Sequence, residues 1–96
     1  MESVFHTAQL NIHFQGPIGV LNIFYNAGLL EDRESIMNLI TLCEKESQEL
    51  YQGADKLLSG PDLKPEWLIN DAWWNRSKAS KWDCVTWELG QFLTAL

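Results

Sequence analysis

The first third of this sequence has almost no charge, and the chain has few residues of the types that build metal, disulfide or membrane sites. From Ser3 to Leu30 there is no Asp, Glu, Lys or Arg, and the 96 residues include only two Cys and two His. No apolar stretch reaches the roughly 18 uncharged residues that a membrane-spanning helix needs, so we expect no membrane segment. No basic segment precedes a compact apolar core near the first residues, so we expect no signal peptide.

The scarcity of Cys and His argues against a metal site, a disulfide or a thiol nucleophile. Cys43 and Cys84 belong to no C-x-x-C pair, and a catalytic thiol needs an electropositive niche. We expect both thiols to pack as small hydrophobic groups, which suits a reduced cytoplasm. A zinc site needs three or four ligands at suitable spacing, whereas His6 and His13 have no neighbouring ligands. We therefore predict no metal and no cofactor.

Recognisable catalytic motifs are also absent. The sequence contains no G-x-G-x-x-G, P-loop, H-E-x-x-H or G-x-S-x-G motif. Paired carboxylates such as Glu44 and Glu46 fall on a predicted solvent-exposed helix face, where no flanking pattern indicates a pocket for acid–base catalysis. We expect no catalytic residues and no enzymatic activity.

The acidic balance restricts the classes of partner. Thirteen acidic and seven basic residues give a formal net charge of −6, which should repel phosphate backbones and anionic membranes. The one basic cluster comprises Arg76, Lys78 and Lys81, with Trp74 and Trp82 beside it. A mixture of basic and aromatic residues occurs in single-strand binders, so a nucleic-acid-binding accessory protein is the alternative function.

The most regular pattern lies between Glu34 and Ser59. This spacing predicts one helix over residues 34–59, about 39 Å long at 1.5 Å per residue. With 46% hydrophobic residues, the 96-residue chain should form a single domain, residues 1–96, around that helix. The apolar and small residues that recur at alternating spacings of four and three are Ile36, Ile40, Cys43, Ser47, Leu50, Ala54 and Leu57.

Small residues make one flank of this predicted helix thin. Ser47, Gly53 and Ala54 leave room for another helix, or for a second subunit, to approach closely. We therefore predict a docking flank for a helix or for the second copy of a homodimer. Its members are Ser47, Leu50, Ala54, Phe14 and Phe24.

The segment before the long helix is ambiguous between strand and helix. Apolar and polar residues alternate over 4–14, which is typical of a half-buried β-strand, although helical spacing fits several of the same residues. Pro17 then suits the first position of a helix. We predict a short core helix over 17–27, with a strand as its alternative, after an N-terminal arm that is a β-strand or packs over the helices.

The last third predicts two helices separated by a polar loop. Pro65 opens a helix that ends near Asn75, residues 75–81 form the loop, and Ser80 to Asp83 resemble a capping box for a final helix over 82–96. The apolar stripe of that helix is Trp82, Val85, Leu89, Phe92 and Leu96, and we expect it to be packed to the end.

Five tryptophans are more than one small core needs, and all of them lie in the last 30 residues. Trp is enriched at interface hot spots, so surplus exposed Trp indicates partner binding. The competing interpretation is that Trp fills a thin core. We predict as partner-binding residues Trp74, Trp87, Trp67 and Trp73.

Together these patterns predict a mainly α protein, a bundle of three to four helices around helix 34–59. We expect a cytoplasmic homodimer that acts as a small acidic protein-binding regulatory module. It would be an inhibitor or antiactivator that masks a surface of a larger partner, such as a transcription factor or a defence complex.

Overall fold

The computed structural model describes residues 1–96 and contains three α-helices without β-strands. They are α1 (Glu2–Asn26), α2 (Arg33–Leu58) and α3 (Glu66–Ala95). Helices α2 and α3 form an antiparallel hairpin, and α1 packs against α3, in a body measuring 50 × 21 × 20 Å. The prediction of a mainly α bundle is confirmed, with three helices.

Helix α2 begins and ends close to the residues that its sequence pattern predicts. Asp32 caps its first turn, since the carboxylate accepts a hydrogen bond from the Ser35 amide at 3.4 Å. The helix ends before Gly60, whose φ of 95° and the following proline prevent its continuation. Its buried face consists of Ile36, Leu39, Cys43, Ser47 and Ala54.

The predicted N-terminal strand is wrong, because residues 4–14 belong to α1. The buried residues Phe5, Ala8 and Ile12 follow three-then-four spacing, so one helical face covers the core. A lone strand would leave its backbone amides and carbonyls without partners, whereas a helix satisfies them within the segment. The period-2 alternation misled because it counts exposed Leu10 and Phe14 as inward residues.

Helix α1 folds back on itself at Gly16. This residue has φ 69° and ψ −172°, a region that is essentially restricted to glycine. The rings of Phe5 and Phe24 lie 6.5 Å apart, whereas a straight helix would separate these residues by about 28 Å. The bend also brings the backbone of Gly19 against Gln15, so a Cβ at position 19 would overlap the Gln15 Cβ. The second segment, 17–26, matches the predicted core helix.

The predicted polar loop at 75–81 is also wrong, because α3 continues through it without a break. No Gly or Pro lies between Glu66 and Leu89, and Ala72 and Ala79 are buried. The capping box does not form, since Asp83 accepts a hydrogen bond from the Ser47 hydroxyl of α2 instead. The polar residues thus occupy the exposed face of one long helix, and the fourth helix does not exist as a separate element.

The core lies where the two segments of α1 meet α2 and α3. Trp82 is its largest fully buried side chain, and its ring lies 5.1 Å from that of Phe5. The final helical stripe is packed only in part, because Phe92 and Leu96 remain 39% and 59% exposed. The core residues are Phe5, Ala8, Ile12, Val20, Phe24, Leu30, Ile36, Leu39, Cys43, Trp82, Val85 and Leu89.

Candidate protein-binding surface

Four aromatic rings form a continuous row on the surface between α1 and α3. We call Trp73, Trp74, His13 and Phe14 the aromatic row. Neighbouring ring centroids lie 4.9, 4.3 and 5.4 Å apart in that order, and each pair meets edge to face. This geometry places the positive edge of one ring on the negative face of the next. The row is therefore an ordered surface and not a set of independent side chains.

The row is held in place by the end of the first segment of α1. The bend at Gly16 leaves the last carbonyls of residues 2–15 without helical partners. Lys81 of α3 donates a hydrogen bond from Nζ to the His13 carbonyl at 3.2 Å, which supplies one such partner. His13 and Phe14 are thereby fixed against α3 next to Trp74.

A cavity of about 300 Å³ opens beside the row. Leu10 and Trp74 provide its apolar walls, and Gln9, His13 and Lys78 complete its lining. The Nδ1 atom of His13 is buried and has no hydrogen-bond partner. Lys78 is half-buried and forms neither an ion pair nor a hydrogen bond within the chain. The cavity thus combines apolar walls with the unpaired ammonium of Lys78.

Much of the apolar surface of the row is exposed to solvent. Phe14 is 86% exposed, Trp73 60% and Trp74 44%. Together these three side chains expose about 400 Å², taking 150–250 Å² for each full aromatic side chain. Patches of that size are the largest on typical monomers and frequently mark binding sites.

The four predicted partner-binding tryptophans do not form one surface. Trp67 precedes Trp74 by two helical turns and lies on the same face of α3, 64% exposed. Trp87 is as exposed as Trp67, but it lies about 20 Å beyond Trp74 along α3 and about 140° from Trp74 around the helix axis. Trp67 and Trp74 therefore share one face of α3, Trp73 joins them through its ring contact with Trp74, and Trp87 is separated from this cluster by its distance along the helix.

The residues of the predicted docking flank separate into buried and exposed groups. Ser47 and Ala54 are buried, and the Ser47 hydroxyl oxygen lies 3.3 Å from the Ala79 carbonyl oxygen of α3. Leu50 is half-buried against the core, and Phe24 is fully buried. Only Phe14 is open to solvent, and it belongs to the aromatic row.

The basic cluster is dispersed in a similar way. Arg76 forms an ion pair with Asp55 of α2 at 3.1 Å, on the side of α3 away from the cavity. Lys81 is engaged with the His13 carbonyl, and Lys78 lines the cavity. These three cations do not build a single phosphate-binding surface.

Sequence reasoning missed Gln9, Leu10 and His13 as surface residues of a site. The sequence did contain evidence for this site, because Leu10, His13 and Phe14 have the i, i+3, i+4 spacing that places residues on one face of a helix. The strand interpretation placed His13 on the face opposite Leu10 and Phe14 and so concealed their proximity.

A small polar cluster lies between α2 and α3, away from the aromatic row. Asp83 accepts hydrogen bonds from the hydroxyls of Ser47 and Tyr51. Burial raises the pKa of Tyr51, and the charge of Asp83 and the hydrogen bond to it raise that pKa further. These hydrogen bonds hold α2 and α3 in register. Nowhere in the structure do three His, Cys, Asp or Glu side chains form a group that could hold a metal ion.

We expect only one of the two thiols to react with Ellman's reagent in the native protein. Cys43 is buried, and its burial together with the negative charges of Glu46 and Glu44 raises the pKa of its thiol to about 12. Cys84 is exposed on α3, so the expectation that both thiols pack as small hydrophobic groups is wrong for this residue. Because the thiolate is the reactive species, Cys43 should react only after denaturation. A rapidly reacting thiol in native Cys84→Ser protein would contradict the buried position of Cys43.

Comparison with known proteins adds no assignment, since the chain matches no family model, no curated protein and no solved structure. No helix of the structure combines the length and the apolar character needed to cross a membrane.

Proposed function

We propose that this protein is a cytoplasmic protein-binding regulatory module that docks on a larger partner through the aromatic row. By covering part of the partner's surface it would act as an inhibitor or antiactivator, with a transcription factor or a defence complex as the class of target. The observation that carries this proposal is the exposed, ordered row of three aromatic side chains and His13. Aromatic residues are enriched at the cores of interfaces, and Trp is among the residues enriched at hot spots.

The dimensions of the surface support a protein partner. A stable interface buries about 800 Å² on each side, with a fully buried apolar centre and a polar rim. The roughly 400 Å² of exposed aromatic surface would form that centre. Gln9 and Lys78 at the neighbouring cavity would form part of the rim.

Binding to a partner from the native host tests this proposal. The partner is recovered by co-purification with the tagged protein, and its affinity is then measured for the wild type, Phe14→Ala and Trp87→Ala. We expect Phe14→Ala to raise Kd by roughly tenfold or more, because it removes a hot-spot ring. Trp87→Ala is the control, since it deletes another largely exposed aromatic side chain, which lies about 20 Å along α3 from Trp73 and Trp74.

Both side chains are largely exposed, so neither substitution should unfold the protein. Unchanged affinity for Phe14→Ala, or a loss confined to Trp87→Ala, would overturn the proposed site.

The homodimer expected from the sequence is a second occupant of the same surface. Light scattering that gives twice the 11.0 kDa of one chain, and 11.0 kDa for Phe14→Ala, would establish it.

The nucleic-acid alternative receives less support from the arrangement of the basic residues. Arg76 is paired with Asp55, and the Lys81 ammonium is bound to a main-chain carbonyl. Nucleic-acid affinity would depend steeply on salt, since it rests on phosphate contacts. Salt-sensitive binding of single-stranded DNA or RNA that requires Lys78 and Lys81 would favour this alternative.

A further inference from the structure

We propose that the cavity beside the aromatic row accepts an apolar side chain of an acidic amphipathic helix, whose carboxylate pairs with Lys78. This inference rests on the proposed protein-binding function and specifies the chemistry of the partner. It follows from three features of the cavity: its apolar walls, its unpaired polar groups and the distribution of charge around it.

The walls of the cavity select an apolar group. Trp74 and Leu10 face it from α3 and α1, and its volume of about 300 Å³ lies at the lower end of the range for ligand pockets. A space of that size holds one large side chain, such as Phe or Leu, but not an extended cofactor. Its open mouth lies beside Trp74, the ring that also belongs to the aromatic row.

The polar groups of the cavity select a carboxylate. Lys78 is half-buried and unpaired, whereas Arg76, two residues earlier, forms an ion pair with Asp55. A partly buried ammonium gains most from an anionic acceptor, because charge-assisted hydrogen bonds are stronger away from bulk water. His13 also lines the cavity, and its buried Nδ1 atom has no hydrogen-bond partner.

The surrounding charge favours an acidic partner in spite of the net charge of −6. Residues 3–30 carry no charged side chain, so α1 contributes no competing acid to the cavity. Asp71 on α3 is about 10 Å along the helix from Lys78. Lys81 lies one turn beyond Lys78 and adds positive potential. Lys78 is thus the one charged side chain that lines the cavity, and the acid bound to its lining is Glu46 of α2, which accepts a hydrogen bond from Gln9.

The shape of the surface favours a helical segment as the occupant. The exposed face of α3 from Trp67 to Lys78 extends over about 16 Å, which equals three turns of a partner helix. A helix docked on such a face presents apolar anchors at positions i, i+3 or i+4, and i+7. Those anchors can cover Trp67, the aromatic row and the cavity in turn, with an acidic residue near Lys78.

Synthetic peptides test the proposal directly. The probe is an amphipathic helix of about 15 residues with Phe and Leu on one face and Glu beside them, compared with versions carrying Gln or Lys in place of Glu. Anisotropy of the labelled peptides should give a Kd for the Glu peptide roughly tenfold below that of the Gln peptide, and the Lys peptide should bind most weakly. Lys78→Gln should reduce the Glu preference to less than about twofold.

Control variants separate the cavity from general charge effects. Lys56→Gln removes an exposed cation at the end of α2 and should leave the preference for Glu unchanged. Trp74→Ala should weaken all three peptides by roughly tenfold, since it removes a wall of the cavity. Changes of amide chemical shift confined to Gln9, Leu10, His13 and residues 73–78 would locate the peptide.

Equal affinity for the Glu and Gln peptides, or no binding at about 1 mM, would overturn the proposal. Sedimentation of the protein with phosphatidylcholine–phosphatidylglycerol vesicles in a Trp74-dependent manner, without peptide binding, would overturn it in favour of a lipid contact. If the host partner requires Phe14 but binds Lys78→Gln as tightly as the wild type, the carboxylate pairing fails while the protein-binding function stands.

Discussion

Replacing Trp82 with alanine is expected to lower the free energy of unfolding by about 3–5 kcal/mol. Trp82 is 1% exposed and is the largest fully buried side chain of the protein. Its ring stacks on Phe5 at 5.1 Å and so joins α3 to the first segment of α1. The substitution removes this contact and leaves a cavity that the surrounding helices can fill only in part.

Urea titration followed by circular dichroism measures this loss without relying on tryptophan fluorescence. Thermal unfolding should show a decrease in Tm of at least about 12 °C, at 4–8 °C per kcal/mol for a domain of this size. Trp87→Ala is the matched control on the same helix, because Trp87 is 64% exposed and its removal creates no internal cavity. We expect that variant to change stability by about 0.5 kcal/mol or less. Similar losses for the two variants would contradict the assigned core.

Replacing Gly16 with alanine is expected to destabilise the protein by about 1–3 kcal/mol. The φ of 69° and ψ of −172° at Gly16 place it where an L-residue is strained, and α1 departs from helical backbone at this residue. The cost arises from the backbone alone, because a Cβ at this position would meet no atom within 4 Å. Urea titration of both proteins measures the difference.

Gly90→Ala supplies the matched control with the opposite expected sign. Gly90 lies inside α3 with ordinary helical backbone, and an added Cβ would again meet nothing within 4 Å. Alanine should therefore stabilise the protein by about 0.5–1 kcal/mol through its better helix propensity. If Gly16→Ala is also neutral or stabilising, the bend is not required by the fold. Because the bend positions His13 and Phe14, Gly16→Ala should also weaken any partner held by the aromatic row.

Several elements of the fold could be predicted because their determinants are local. Helix α2 has a capping aspartate, a sustained apolar face and a Gly-Pro stop, and all of these are legible over 26 residues. The second segment of α1 follows from Pro17 at its start and an apolar sequence after it. Each signal depends on neighbours within a few turns, which is the range over which helix formation is decided.

The continuity of α3 could not be predicted in the same way. Residues 75–81 are polar enough for a loop, and only the packing of Ala79 under Ser47 of α2 shows why they remain helical. The conformation of residues 4–14 was open for a similar reason. Strand alternation and helical spacing both fit these residues, and the choice between them depends on which of their side chains the other helices bury.

The candidate site is almost entirely a product of tertiary structure. The sequence predicted that Trp67, Trp73 and Trp74 would contact a partner, but it could not place His13 4.3 Å from Trp74, a residue 61 positions away. It also predicted a loop between Trp74 and Trp87, and so could not place Trp87 about 20 Å further along the same helix.

By itself, then, the sequence determined the helical class, the long helix α2 and the abundance of exposed aromatic side chains, because composition and short-range periodicity specify these. Tertiary structure alone decided that α1 bends back at Gly16 over α3, that α3 is unbroken, and that two distant aromatic pairs join into one row beside Lys78. The physical reason is that burial and contact between residues far apart in the chain are properties of the packed helices together, and no local segment contains them.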